Sequence, residues 1–298
     1  MKKSILETIG NTPMIRLYGI EAKESIRANF FAKVEYFNPF GSIKDRVALE
    51  ILENAEAVGD IDSNSTIVEA SSGNMGIALS AIGAVRGYKT VIIAPENISE
   101  RRKNLIKAFG GRLILTESSK GMSGAVEIAS KISNEVRNSY LTDQFKNPSG
   151  VMAHYKHTAP EIFSQMGGRI DVIVCGIGTG GTITGIANYF YGKGIKIIGV
   201  EPEGSAFFSK GQKGTHKIEG IGAGFYPDIL NIKLIDEIVA VSDDEAIRCT
   251  KEIFISDGLF VGYSSGAVLA AAQIIAKREE FKEKNIVLIF ADGGDRHL

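Results

Sequence analysis

Short runs of β-branched and apolar residues alternate with longer helical patterns along most of this chain, and that alternation restricts the fold more than any other feature. Thr66-Ile67-Val68-Glu69 leads through a Ser/Gly loop into a helical pattern from Met75 to Val85, and Thr90 to Ala94 leads through Pro95 into Glu100 to Ala108. Leu113 to Leu115 leads through Gly121 into a pattern ending near Asn134. Past the loop from Asp143 to Ser149 the rhythm resumes, with runs at Val172 to Cys175, Ile195 to Val200 and Ile286 to Phe290. Runs this short and apolar read as strands covered on both faces, and strand followed by helix is the pattern of a largely parallel sheet. The expected class is α/β, with parallel twisted sheets flanked by helices, and 298 residues leave room for two domains.

In open α/β sheets ligands gather beyond the carboxyl ends of the strands. Four strand-to-helix loops there are rich in small polar residues: Ser71 to Gly76, Gly176 to Thr182, Gly262 to Gly266, and Asp292 to Asp295. Gly176-Ile177-Gly178-Thr179-Gly180-Gly181-Thr182 follows an apolar run and opens a helix, so its main-chain N–H groups and the helix dipole suit an anion. Gly176, Gly178 and Gly181 also spell G-x-G-x-x-G, with Glu201 closing the next strand. That is the dinucleotide fingerprint at face value, and the pattern alone does not choose between a pyrophosphate and a single phosphate. Ser71-Ser72-Gly73-Asn74-Met75-Gly76 suits either a carboxylate or an ordinary helix cap, and Gly262-Tyr263-Ser264-Ser265-Gly266 reads by itself as an N-cap. Lys44, at the head of the helical pattern Asp45 to Ala55, reads on spacing alone as a surface lysine.

The balance of 34 basic against 35 acidic residues, with no run of one sign, speaks against nucleic acid or an anionic membrane as partner. A small molecule is expected instead. Two lysines near the N-terminus are followed by no long apolar stretch, so neither a signal peptide nor a spanning helix is expected, and the location is read as cytoplasmic. Cys175 reads as a buried strand thiol, and with Cys249 the only other cysteine, neither a disulfide framework nor a cysteine zinc site is expected. His154 and His157 lack a third ligand and read as surface or packing residues, so no metal is expected. Arg101, Arg102 and Lys103 read as a solvated helix face.

Asn38-Pro39-Phe40-Gly41-Ser42-Ile43-Lys44-Asp45-Arg46 resembles the Asn-Pro-x-Gly-Ser-x-Lys-Asp-Arg motif of the fold-type II pyridoxal-phosphate enzymes, the family of cysteine synthases and cystathionine β-synthases. Further segments match in order over nearly the whole chain: Ile9 to Met14, Glu100 to Lys103, Gly121 to Ala125, Gln144 to Pro148, and Gly220 to Phe225. The resemblance implies a tryptophan synthase β-like architecture of two α/β domains. The smaller, mobile one runs from 36 to 147, and the larger comprises 1–35 plus 148–298.

It further implies pyridoxal phosphate bound to Lys44 as a Schiff base, with Lys44 also the base at the substrate Cα. Gly178, Thr179, Gly180, Gly181 and Thr182 would hold the phosphate, Asn74 the phenolic oxygen, and Ser264 the pyridine nitrogen. Ser71, Ser72, Gly73, Met75, Gln144 and Gly222 would meet the substrate. A hydroxyl at the pyridine nitrogen need not keep it protonated, which favours β-chemistry over transamination. The implied reaction is β-replacement on an activated serine or cysteine through an α-aminoacrylate, foremost cysteine synthesis from O-acetylserine and sulfide. Alternatives are a cysteine β-lyase or lanthionine-forming enzyme that releases hydrogen sulfide, and a diaminopropionate-type synthase using O-phosphoserine. The alternative of another class is a nicotinamide-dependent oxidoreductase. Small amino acids and a second copy of the chain, in a homodimer, are the implied partners. One departure stands out: Met75 replaces the family's threonine, which removes a hydroxyl donor and is expected to place a thioether at the pocket edge and to alter donor preference.

Overall fold

The computed structural model describes residues 1–296. Its strands are β1 (Met14–Arg16), β2 (Asn29–Val34), β3 (Thr66–Ala70), β4 (Lys89–Pro95), β5 (Arg112–Thr116), β6 (Ser139–Leu141), β7 (Val172–Gly176), β8 (Lys196–Pro202), β9 (Glu237–Val241) and β10 (Asn285–Phe290). They form two sheets, ordered β5-β4-β3-β6 and β1-β2-β10-β7-β8-β9. Every pairing is parallel except β1 with β2. The chain divides into two compact units, one of Met1–Ile9 with Lys44–Gly150 and one of Gly10–Ile43 with Val151–Leu298. This division differs from the 36–147 expectation in where it puts residues 1–9, 36–43 and 148–150.

The four-stranded sheet belongs to the first unit. Val68, Ala70, Val91 and Ile93 on its inner strands pack against Ala125 and Ala129 of the helix Gly121–Glu135. The helix Asn74–Arg86 ends at Gly87, whose φ of 82° is the left-handed conformation that glycine adopts without cost.

The six-stranded sheet of the second unit is covered on both faces. One face packs on the helix Tyr263–Ala276 through Val174, Val200, Leu288 and Phe290, and the other on the helix Gly181–Phe190 through Ile173, Ile197, Val287 and Ile289. Inner strands so enclosed must be apolar in both directions, which is why β7, β8 and β10 stand out in the sequence.

Strand β2 does not stand out, because it carries Lys33. That side chain is fully buried, and its ammonium donates to Glu161 Oε2 at 2.7 Å, Gln165 Oε1 at 2.9 Å and the Thr12 carbonyl at 2.7 Å. The reading of 101–103 as a wholly solvated face also needs correction: Arg102 is buried, on the inward side of the helix Glu100–Ala108.

An ammonium without water is stable only while its counter-charge remains, and breaking one side of a buried pair costs about 3–5 kcal/mol. Glu161→Ala is therefore expected to lower the free energy of urea unfolding by roughly that amount, while Lys33→Met with Glu161→Leu, which removes both charges, recovers most of the loss. Equal losses in the single and double variants would show that packing, not charge, governs the position.

Candidate active site

The first unit carries one group of functional candidates beyond the carboxyl end of β3. Ser71 N–H continues the ladder to the Ile93 carbonyl at 2.9 Å, and the chain then turns into the helix Asn74–Arg86. The Ser71 hydroxyl shapes that turn by accepting from Gly73 N–H at 3.2 Å and Gly76 N–H at 3.1 Å. Ser72 and Gly73 are half-buried, the Ser72 hydroxyl makes no hydrogen bond among the described residues, and a Cβ at Gly73 would meet nothing within 4 Å. The loop thus has a self-bonded serine at its base and open space at its tip. Met75 does not stand at an open rim: its side chain is only 1% exposed. Lys44, half-buried, is the first residue of the helix Lys44–Val58.

Gln144 belongs to the same group through a residue that the sequence reading passed over. Glu69 lies on β3, and Thr142 and Gln144 follow the end of its neighbour β6. All three side chains are buried. Gln144 Nε2 donates to Glu69 Oε1 at 3.0 Å, and the Gln144 main-chain N–H also bonds to this carboxyl group. The Thr142 hydroxyl contacts both the Val68 carbonyl, at 3.2 Å, and Glu69 Oε2. A hydroxyl has one proton; when it goes to Val68, the contact with Glu69 is a hydrogen bond donated by a protonated carboxyl. Burial pushes Glu69 up to about 7, against the pull of hydrogen bonds from Thr142 and Gln144.

The second unit carries the glycine loop between β7 and the helix Gly181–Phe190. Gly180 has φ 85°, and a Cβ there would lie 2.6 Å from Leu230 Cβ; a Cβ at Gly178 would strike the Gly220 carbonyl. Only glycine permits this path. The N–H groups of Gly178, Thr179 and Gly180 make no hydrogen bonds among the described residues, whereas Gly222 N–H is spent on the Ile177 carbonyl at 2.9 Å. That last bond brings two segments expected at the site, 176–182 and 220–225, against each other. The Thr182 hydroxyl is 3.1 Å from His154 Nε2, and His154 Nδ1 is 3.0 Å from the Thr158 hydroxyl. His154, fully buried in a single π-helical turn His154–Thr158, is therefore a packing residue that also fixes the Thr182 rotamer.

Ser264 opens the helix Tyr263–Ala276, and its hydroxyl makes no hydrogen bond among the described residues. Ahead of Lys44, the segment 38–43 is held by its own unit. Asn38 donates to the Glu35 carboxylate at 2.8 Å and accepts from Gly10 N–H at 2.8 Å, Ile43 N–H reaches the Ala291 carbonyl at 2.8 Å, and Arg296 donates to the Phe40 carbonyl.

Glu201 resolves the double meaning of the glycine fingerprint. It is fully buried, and its carboxylate accepts from Phe208 N–H at 2.8 Å and Ser209 N–H at 2.9 Å. The acid that a dinucleotide ribose would require is committed to the turn at 207–210, which argues against a dinucleotide at this loop.

The chain belongs to the pyridoxal-phosphate dependent enzymes, whose family model matches residues 5–292. It is 44% identical over 300 residues to cysteine synthase B of Campylobacter jejuni, covering 99% of this chain and 97% of that protein. Its structure superimposes on a cysteine synthase of Entamoeba histolytica with a TM-score of 0.96 and 41% identity, covering 100% of this chain and 89% of that one. A hydrogen sulfide-producing enzyme of Fusobacterium nucleatum matches with a TM-score of 0.96 and 36% identity over 100% of both chains. Taken one by one, the residues have the chemistry this cofactor would need: a lysine at a helix start in the first unit, and in the second a glycine loop with unspent N–H groups and a hydroxyl near a helix start.

The raised Glu69 value has a thermodynamic consequence. Below 4.5 the group is protonated folded and unfolded; between 4.5 and about 7 only the folded chain keeps the proton, so stability is lost as pH rises through that window. The full difference is about 3 kcal/mol. Relative to Glu69→Gln, the parent's unfolding free energy is expected to fall by about that much between pH 4.5 and 7.5. A constant difference across this range would mean that Glu69 titrates normally.

Proposed function

We propose that this protein is a cysteine synthase, carrying out β-replacement on O-acetylserine with sulfide. The reading is carried by the full-length likeness to cysteine synthases, with Lys44 placed at the head of a helix. Bound pyridoxal phosphate supplies an electron sink that loosens the Cα proton and lets the β-substituent depart. The remaining work falls to the chain. Lys44 would hold the cofactor's aldehyde covalently and, once released by the substrate amine, its free amine would carry the proton from Cα and back to it. The N–H groups of Gly178 to Gly181 and the Thr182 hydroxyl hold the phosphate, with the helix dipole behind them. Asn74 meets the phenolic oxygen and Ser264 the ring nitrogen. Ser71 shapes the carboxylate loop, where Ser72, Gly73, the Met75 main chain and Gln144 meet the substrate carboxylate, with Gly222 lining the substrate site. Two half-reactions on one site give ping-pong kinetics.

A homodimer and a cytoplasmic location go with this reading. Among the described residues no helix is long and apolar enough to cross a membrane, and sedimentation of the holoenzyme measures the first.

A second reading takes cysteine as the donor and releases hydrogen sulfide. The likeness to the Fusobacterium nucleatum enzyme over the whole of both chains favours it. Both readings share every residue assigned above and differ in the leaving group, acetate or sulfide, and in what adds in its place, sulfide in the first and a second thiol or water in the second. A panel of O-acetylserine, O-phosphoserine, cysteine and serine, each with sulfide and with other thiols, separates them. O-Acetylserine is expected to give the highest kcat/KM with sulfide; a higher value for cysteine with sulfide release establishes the second reading.

Lys44→Ala is expected to abolish turnover while the protein still takes up free pyridoxal phosphate. Borohydride reduction of the parent holoenzyme followed by peptide mass spectrometry should place the cofactor on the peptide containing Lys44. Label on a different lysine would remove Lys44 from its role.

A further inference from the structure

None of the roles above uses Glu69, yet it is an acid, fully enclosed, two residues before Ser71, and its oxygens are occupied by Thr142 and by both N–H groups of Gln144. We propose that Glu69 positions Gln144 for the substrate carboxylate, a role that rests on Gln144 meeting that carboxylate.

A glutamine side chain has a donor end and an acceptor end, and three rotatable bonds to lose before it can bind anything. If its carbonyl faced an incoming carboxylate, two acceptors would oppose each other. Accepting from Nε2, Glu69 Oε1 turns the amide so that the nitrogen's second N–H is left for a ligand. The main-chain N–H of Gln144, bonded to the same carboxyl group, anchors the start of that side chain. Thr142 completes the arrangement: its hydroxyl lies within reach of both the Val68 carbonyl and Glu69 Oε2, and burial, which outweighs these hydrogen bonds, favours the neutral acid. Neutrality matters here because a carboxylate behind Gln144 would repel the carboxylate in front of it. An acid in this role is a hydrogen-bonding shape rather than a charge, and Gln is its isostere.

The test compares Glu69→Met, Glu69→Gln, Gln144→Leu and the double variant Glu69→Met/Gln144→Leu as holoenzymes, using the donor that the panel identifies. Gln144→Leu removes a hydrogen bond to a charged group, and a rise of about ten- to a hundred-fold in donor KM is expected. Glu69→Met, which keeps the volume and removes the acceptor, is expected to raise donor KM about tenfold, with kcat and the KM for the nucleophile within about twofold of the parent. The double variant is expected to match Gln144→Leu, because a positioning residue has nothing left to position, and Glu69→Gln is expected to keep the parent's KM.

Additive effects in the double variant, or a loss in Glu69→Met spread equally over kcat and both KM values, would overturn the proposal. Should Glu69→Met fail to fold, Glu69→Gln decides, with a parental donor KM upholding the neutral-shape role and a tenfold rise overturning it. An unchanged KM in Gln144→Leu removes the assignment of Gln144 and the proposal with it, without any change at Glu69. Failure of the cysteine-synthase reading itself is seen separately, in the donor panel with the parent enzyme.

Discussion

Parallel strands covered on both faces leave a chain very few places for chemistry. The central strands of both sheets, β3 and β4 in one unit and β10, β7 and β8 in the other, are buried along nearly their whole length. Water and ligands can reach such a sheet only where its strands end, and at the carboxyl ends each chain turns into a helix whose first N–H groups are unspent. The loops at Ser71, Gly176 and Gly262 all stand at such turns or at helix starts. Their glycines and hydroxyls follow from that position: glycine where a Cβ would strike a neighbouring chain, and serine where a turn requires a local acceptor.

The charged groups inside the protein obey a matching restriction. Lys33, Glu35, Glu69 and Glu201 are all fully enclosed, and each meets partners that satisfy it in a different way. Lys33 has a counter-charge, Glu35 a threonine hydroxyl and an asparagine amide, and Glu201 two main-chain N–H groups. For Glu69, burial raises the affinity for its proton. A charge-bearing group in this interior is accommodated by a counter-charge, by hydrogen bonds or by holding its proton.

How much could be read without a structure depended on distance along the chain. The inner strands and the helix starts were legible because their signals are local: an apolar run, then glycine or serine. Strands β1 and β6 have three residues each, too few for any period to show. Strand β2 was concealed by Lys33, whose partner Glu161 is far away in sequence. The same reason hid Glu69 behind Gln144 and His154 behind Thr182, since each contact joins segments that only the fold brings together. Glu201 shows the opposite error, a correctly spaced acid whose burial assigns it to packing. For Lys44, which by residue type alone reads as a surface lysine, and for the loop 178–182, which reads as suited to an anion, the proposed roles rest on family resemblance.

The position of β10 has a further implication, for how the chain is made. The strand closest to the C-terminus is inserted between β2 and β7, in the middle of the six-stranded sheet, pairing in parallel with both. Until residues 285–290 have emerged from the ribosome, β2 and β7 each present an unsatisfied edge, while the four strands of the other sheet lie within residues 66–141 and can pair early. Synthesis therefore completes one unit while leaving the other open, and the second closes only after residues 285–290 are made. Chains that stop short of β10 should expose apolar strand edges and aggregate rather than fold to a partly active enzyme, so β10 acts as a checkpoint on the unit it completes.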